Sequence, residues 1–175
     1  MSQHLVVTAL GTNRTGIVNE LTQLVASCGC NIVDSRMALF GSEFTLIMLV
    51  SGSHNAIIQI ENRLPASAQE LQLLTVLKKT SRHELIDYSH SAVLQLSLPD
   101  TAGVISKITQ FISDYKMNMV SLKSNLFSKD SVEMLHAEFE VKLSPEHQTI
   151  DIEQQFAELC IELGSEDFGL QFLSN

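Results

Sequence analysis

Residues 16–40, GIVNELTQLVASCGCNIVDSRMALF, and residues 103–127, GVISKITQFISDYKMNMVSLKSNLF, are two versions of one segment. The offset is 87 residues (103 − 16), and it holds without a gap. It aligns Gly16-Ile17-Val18 with Gly103-Val104-Ile105, Thr22-Gln23 with Thr109-Gln110, Asn31 with Asn118 and Leu39-Phe40 with Leu126-Phe127. Between these anchors apolar faces apolar: Leu21 with Ile108, Leu24 with Phe111, Val25 with Ile112, Val33 with Val120. A repeat of this length is a duplicated structural unit, and it decides the architecture before any single element is read.

Within the repeat, Ile17, Val18, Leu21, Leu24, Val25 and Cys28 fall on one stripe of a helix, as do Val104, Ile105, Ile108, Phe111, Ile112 and Tyr115. Gly29 is placed to stop the first helix. Working outward, Leu5–Leu10 and Ala92–Leu98 alternate and read as strands before each helix, and Asn31–Phe40 and Asn118–Phe127 as strands after it. Gly41-Ser42 makes a tight turn into a strand over Glu43–Ser51. Ser128-Lys129-Asp130-Ser131 predicts a longer turn into Val132–Leu143, where Leu135, Ala137, Phe139 and Val141 alternate with polar residues. Second helices are expected near His54–Leu64 and Ile150–Leu163, and last strands over Leu71–Lys79 and Phe168–Leu173.

The order β-α-β-β-α-β, twice, implies an α+β chain. Each copy is expected to be an antiparallel four-stranded sheet with two helices on one face, the ferredoxin-like arrangement. The expected domains are residues 1–81 and 91–175, joined by a polar linker over 82–90. Domains of that size sit near the lower limit for a self-sufficient core, so association with a second copy is expected.

The 175 residues carry 11 Lys+Arg and 20 Asp+Glu, a net charge of −9. Such a chain has few cations with which to displace counterions, so direct contact with nucleic acid is not expected. The longest uninterrupted apolar run, Leu46–Val50, falls far short of the ~20 residues that span a bilayer. The N-terminus, MSQHLVVTALG, lacks a secretory leader, so a soluble cytoplasmic protein with no membrane partner is expected. Cys28, Cys30 and Cys160 are odd in number and lie in apolar segments, which suits reduced thiols. The C-x-C of Cys28 and Cys30 has no further ligand at metal spacing, so neither a metal nor a cofactor is expected.

Catalytic motifs are absent: no G-x-S-x-G, H-E-x-x-H, G-x-x-x-x-G-K or G-x-G-x-x-G occurs. Glu158 and Glu162 share a helix face but read as solvated, and the six His are scattered. No catalytic residue is assigned, and the chain is not expected to be an enzyme.

The informative segments are the strand-to-helix turns, Thr12-Asn13-Arg14-Thr15-Gly16 and Pro99-Asp100-Thr101-Ala102-Gly103. The free N–H groups and positive dipole end of a helix start suit a carboxylate, and Gly lets a ligand approach the backbone. Asn13 and Asp100 could accept from an ammonium group, so each turn could hold a zwitterionic amino acid. The same residues also read as N-caps, worth ~1 kcal/mol of stability each. Asn31 and Asn118 open the second strand of each copy, which is expected near the turn, where a carboxamide could bond the ligand.

This order of elements, with a D/N-x-x-G turn before the first helix and Asn at the second strand, resembles the ACT domain, a regulatory module of amino-acid metabolism. Two such domains in one chain, with S-C-G-C-N-I-V-D-S-R at 27–36 and E-F-T-L-I-M-L-V-S-G-S at 43–53, resemble bacterial two-domain regulators of transcription. The resemblance implies a small amino acid, glycine here, held at the turn and often between ACT domains. Gly11, Thr12, Asn13, Arg14, Thr15, Gly16, Ile17 and Asn31 would line one site. Pro99, Asp100, Thr101, Ala102, Gly103, Val104 and Asn118 would line the other. It also implies repression of glycine cleavage genes through a DNA-binding activator protein that the chain restrains. ACT turns often carry Pro where this chain has Thr15 and Ala102, and Asp where it has Asn13, which loosens the turn and weakens attraction for an ammonium group. The alternative is a protein–protein interaction module that uses its sheet edges and takes no small ligand.

Overall fold

The computed structural model describes residues 2–81, 90–143 and 149–173. The first part runs β1 (Gln3–Thr12), α1 (Ile17–Ser27), β2 (Asn31–Phe40), β3 (Glu43–Gly52), α2 (His54–Glu70) and β4 (Leu74–Thr80). The second repeats the order with β5 (His90–Pro99), α3 (Val104–Asp114), β6 (Asn118–Lys129), β7 (Val132–Leu143), α4 (Thr149–Glu162) and β8 (Asp167–Leu173). The chain divides into two compact units, Met1–Glu84 and Leu85–Asn175. The linker expected over 82–90 lies outside the described residues, except for His90, which opens β5.

Each unit is an α+β ferredoxin-like domain with one antiparallel sheet, ordered β2-β3-β1-β4 in the first and β6-β7-β5-β8 in the second. Period-2 alternation sends Leu5, Val7 and Ala9 of β1 to the same face as their β3 partners Val50, Met48 and Leu46. Both helices cover that face: Ile17, Leu21 and Val25 of α1 and Ile57, Ile60 and Leu64 of α2 join the same buried cluster. The second unit builds its own core from Leu94, Leu96, Phe139 and Val141 under Ile108, Ile112, Ile152 and Phe156.

The largest differences from the sequence expectation are at α2, at β4 and at the turn between β6 and β7. Helix α2 continues past Leu64, through Pro65, to Glu70. Proline removes one backbone hydrogen bond, but Ala68 extends the buried stripe of Ile57, Ile60 and Leu64 by one more turn, so burial carries the helix across. Strand β4 accordingly starts at Leu74 rather than Leu71. The turn expected over Ser128–Ser131 is shorter than that: Lys129 pairs with Val132, leaving Asp130 and Ser131 at φ 52° and 66°. Two central residues at positive φ make the turn whose twist matches a hairpin.

All three cysteines are free thiols. Cys160, in α4, is 0% exposed, and its burial pushes the thiol up to about 12. Burial favours the neutral thiol, so the folded state holds its proton more tightly than the unfolded chain, whose thiol ionises near 9.0. Folding stability of the second unit should therefore be unaffected by this thiol below pH 9.0 and fall as pH climbs from there toward about 12. Iodoacetamide at pH 8 should leave Cys160 unmodified until the unit is unfolded. Rapid labelling of the native chain, read by mass spectrometry, would contradict this burial.

Candidate ligand-binding turns

The two turns have the same backbone geometry. Gly16 precedes α1 at φ 92°, ψ −12°, and Gly103 precedes α3 at φ 94°, ψ −4°. That left-handed conformation is open to Gly and strained for L residues. The Asn13 amide donates to the Ser42 carbonyl oxygen at 2.8 Å, and the Asp100 amide to the Glu133 carbonyl oxygen at 2.9 Å. Each turn is thus tied to the hairpin beside it. Gly16 and Gly103 also accept the first helical bonds, from the amides of Glu20 and Lys107, both at 3.0 Å.

These positions overturn the capping reading of Asn13 and Asp100. The N-cap is the glycine three residues on, and neither helix has a side-chain cap. The exposed side chains of Asn13 and Asp100 are therefore not committed to the helix, and its first-turn N–H groups meet no capping side chain. A Cβ built on Gly16 or Gly103 would find no atom within 4 Å, so space is open over both helix starts. Gly11 has a different reason to be Gly: a Cβ there would come within 2.6 Å of Leu73 Cδ2 and 3.2 Å of the Gln72 carbonyl oxygen. Its bare backbone admits the chain that leads into β4.

The turns differ in charge. In the first, the Arg14 guanidinium donates to both carboxylate oxygens of Glu20, at 2.9 and 3.2 Å, and this pairing raises the Arg14 pKa further. Residues 101 and 107 take those places in the second turn, and they are Thr and Lys. Thr101 Oγ1 instead donates to the Pro99 carbonyl oxygen at 3.3 Å. The first turn thus presents a carboxamide beside a pinned cation, and the second a carboxylate. The Arg14–Glu20 pair spans six positions, outside the i, i+3 and i, i+4 spacings by which helix pairs are read from sequence.

The two asparagines do not lie where the sequence reading put them. Asn31 pairs with Ser51, which pairs with His4, whereas the turn follows Thr12 at the other end of β1. The eight residues between (12 − 4) span ~26 Å at ~3.3 Å each. Asn118 is placed likewise, level with Lys142 and Ser91, while its turn begins at Pro99. Within one unit, then, turn and asparagine cannot touch one small ligand. Asn31 instead borders an open cavity of about 550 Å³ with Gly29, Cys30, Ser51 and Gly52. Among the described residues, no three His, Cys, Asp or Glu gather as they would around a metal, and no helix is long and apolar enough to cross a membrane.

Comparison with known proteins extends the reading. The family model described as "ACT domain" matches residues 3–78. The chain is 41% identical over 168 residues to the glycine cleavage system transcriptional repressor of Escherichia coli (strain K12), covering 94% of this chain and 88% of that protein. The same figures hold for the repressor of Shigella flexneri. A crystal structure described as a candidate glycine cleavage system transcriptional repressor superposes with a TM-score of 0.76 at 36% identity, over 100% of this chain and 99% of that one. A protein of unknown function from Galdieria sulphuraria has the same fold, with a TM-score of 0.78 at 20% identity over 99% of both chains.

Proposed function

The chain belongs to the ACT-domain family of transcriptional regulators that includes the glycine cleavage system repressors, and from that membership we propose that it is an amino-acid-responsive repressor acting on glycine cleavage genes. The observation that carries the ligand part is the duplicated turn, with an αL glycine, no side-chain cap and open space above the helix start. The first-turn amides suit the ligand's carboxylate, and Asp100, or more weakly Asn13, its ammonium group. Glycine fits this arrangement as an amino acid made of those two groups and little else. Asn31 and Asn118, at the opposite end of each sheet, take no part in the turn of their own unit.

Repression is indirect in this reading, and the chain acts as a binding protein, not an enzyme. It restrains a DNA-binding activator protein in the cytoplasm, where its cysteines stay as thiols. The net charge of −9 supports contact with a protein partner and weighs against contact with phosphates. Anisotropy of labelled operator DNA tests this. The chain alone should give no rise up to ~10 μM at ~0.1 M salt, while addition to an activator–DNA complex should change the signal in a glycine-dependent way. Tight, salt-sensitive binding of the operator by the chain alone would refute indirect repression.

A further inference from the structure

We propose that the sheet face of the first unit turned away from its helices is a self-association surface, on which a second copy of this chain docks face to face. The inference is independent of amino-acid binding and begins from an internal comparison. Strand register makes β1 and β5 equivalent at the 87-residue offset, and pairing then carries the equivalence to the other strands. On the helix-covered face the two units keep the same apolar character. On the opposite face they part company. Ile47 and Leu49 of β3 correspond to Glu138 and Glu140 of β7, and Leu74 and Val76 of β4 to Asp167 and Gly169 of β8. Thr8 and Leu10 likewise correspond to Gln95 and Ser97.

The second unit therefore has the solvated outer face usual for an antiparallel sheet, and the first does not. Leu74 is 72% exposed, Val76 65%, Ile47 48% and Leu10 41%, and pairing makes them neighbours on adjacent strands. A contiguous apolar patch of this kind marks an interface.

Charge points to a second copy as the occupant. The first unit, residues 1–84, holds six Lys+Arg and six Asp+Glu, net zero. The rest holds five (11 − 6) and fourteen (20 − 6), so the whole −9 sits on the second unit. Contact through the neutral units brings no like charges together. One row across the face is self-complementary. Lys78, Val6, Leu49 and Asp34 form that row across β4, β1, β3 and β2. Sheets packed face to face keep their strands roughly aligned. A two-fold axis along the strands lays β4 of one copy over β2 of the other, which sets Lys78 against Asp34 of the second copy and Val6 against Leu49. The face measures about 19 by 24 Å, from four strands ~4.8 Å apart and about seven residues of ~3.4 Å. That is ~460 Å², less than the ~800 Å² a standard interface takes from each partner, so the whole face is needed and the dimer should be weak and reversible.

Sedimentation equilibrium from ~1 to ~200 μM should show a reversible monomer–dimer equilibrium. Ile47→Glu installs the residue that the equivalent sheet position already carries in the second unit, so it should fold as wild type by circular dichroism. Its dimer dissociation constant should rise by at least ~30-fold. Lys78→Asp and Asp34→Lys should each weaken the dimer, and the double variant should restore it. A chain that stays monomeric throughout, an Ile47→Glu variant that dimerises like wild type, or a charge swap without rescue would each overturn the proposal. If Ile47→Glu does not fold, the charge-swap series decides alone.

Discussion

Phe139→Ala should cost the second unit about 3–5 kcal/mol and leave the first at its wild-type stability. Phe139 is 0% exposed on β7, directly beside Leu94 of β5, and belongs to the cluster that holds Ile108 and Phe156. Truncation loses the transfer energy of the ring and leaves a cavity that neighbours on two strands and two helices cannot all collapse into. At ~4–8 °C per kcal/mol for a domain of this size, the unit's midpoint should fall by about 12–40 °C. The two cores share no residue, so the loss should stay local. The chain makes this easy to read: it has no Trp, and Tyr115 packs against the core of the second unit. Tyrosine fluorescence should follow the shifted transition alone, while far-ultraviolet circular dichroism shows a second one at the wild-type position. A single transition that moves as a whole would mean the units unfold as one body.

Gly103→Val should remove the ligand response of the second turn with a smaller effect on the fold. The space around a Cβ at Gly103 is empty, so no clash arises, and the cost is the φ of 94° forced on a β-branched residue. Such strain is worth about 1–3 kcal/mol, which a folded unit of ordinary stability survives. The isopropyl group would occupy the space over the first-turn amides of α3, where the ligand's carboxylate is proposed to sit. Gly16→Val should do the same to the first turn. Asp100→Ala separates the two effects, since it removes the carboxylate without straining the backbone. A glycine-induced rise in midpoint should shrink in all three variants in proportion to lost affinity.

Much of the fold was legible because duplication tested each reading twice. The alternation in Val132–Leu143 and the span Asn31–Phe40 correspond to strands with those limits, since burial of one face imposes a strict period. The end of α2 was not legible, because Pro65 is a local stop signal that the burial of Ala68 overrides. The turns could be found, but their chemistry was misassigned in part. A glycine N-cap has no side chain to announce it, so Asn13 and Asp100 carried the capping pattern while Gly16 and Gly103 held the position. Asn31 was misplaced for a different reason: proximity depends on which end of β1 the second strand enters, and that follows from sheet order, not composition. The contrast between Leu74 and Asp167 was visible as residues but meaningless until register made them equivalent.

The most direct test of the central claim is equilibrium dialysis of the whole chain against labelled glycine, with wild type and Gly103→Val compared at matched concentration. Saturable binding to wild type, weakened at least ~10-fold in the variant while its circular dichroism spectrum is unchanged, is the predicted result. Absence of glycine binding, alone or with the activator present, or undiminished binding after both glycines are changed to Val, would contradict a sensor built on these turns.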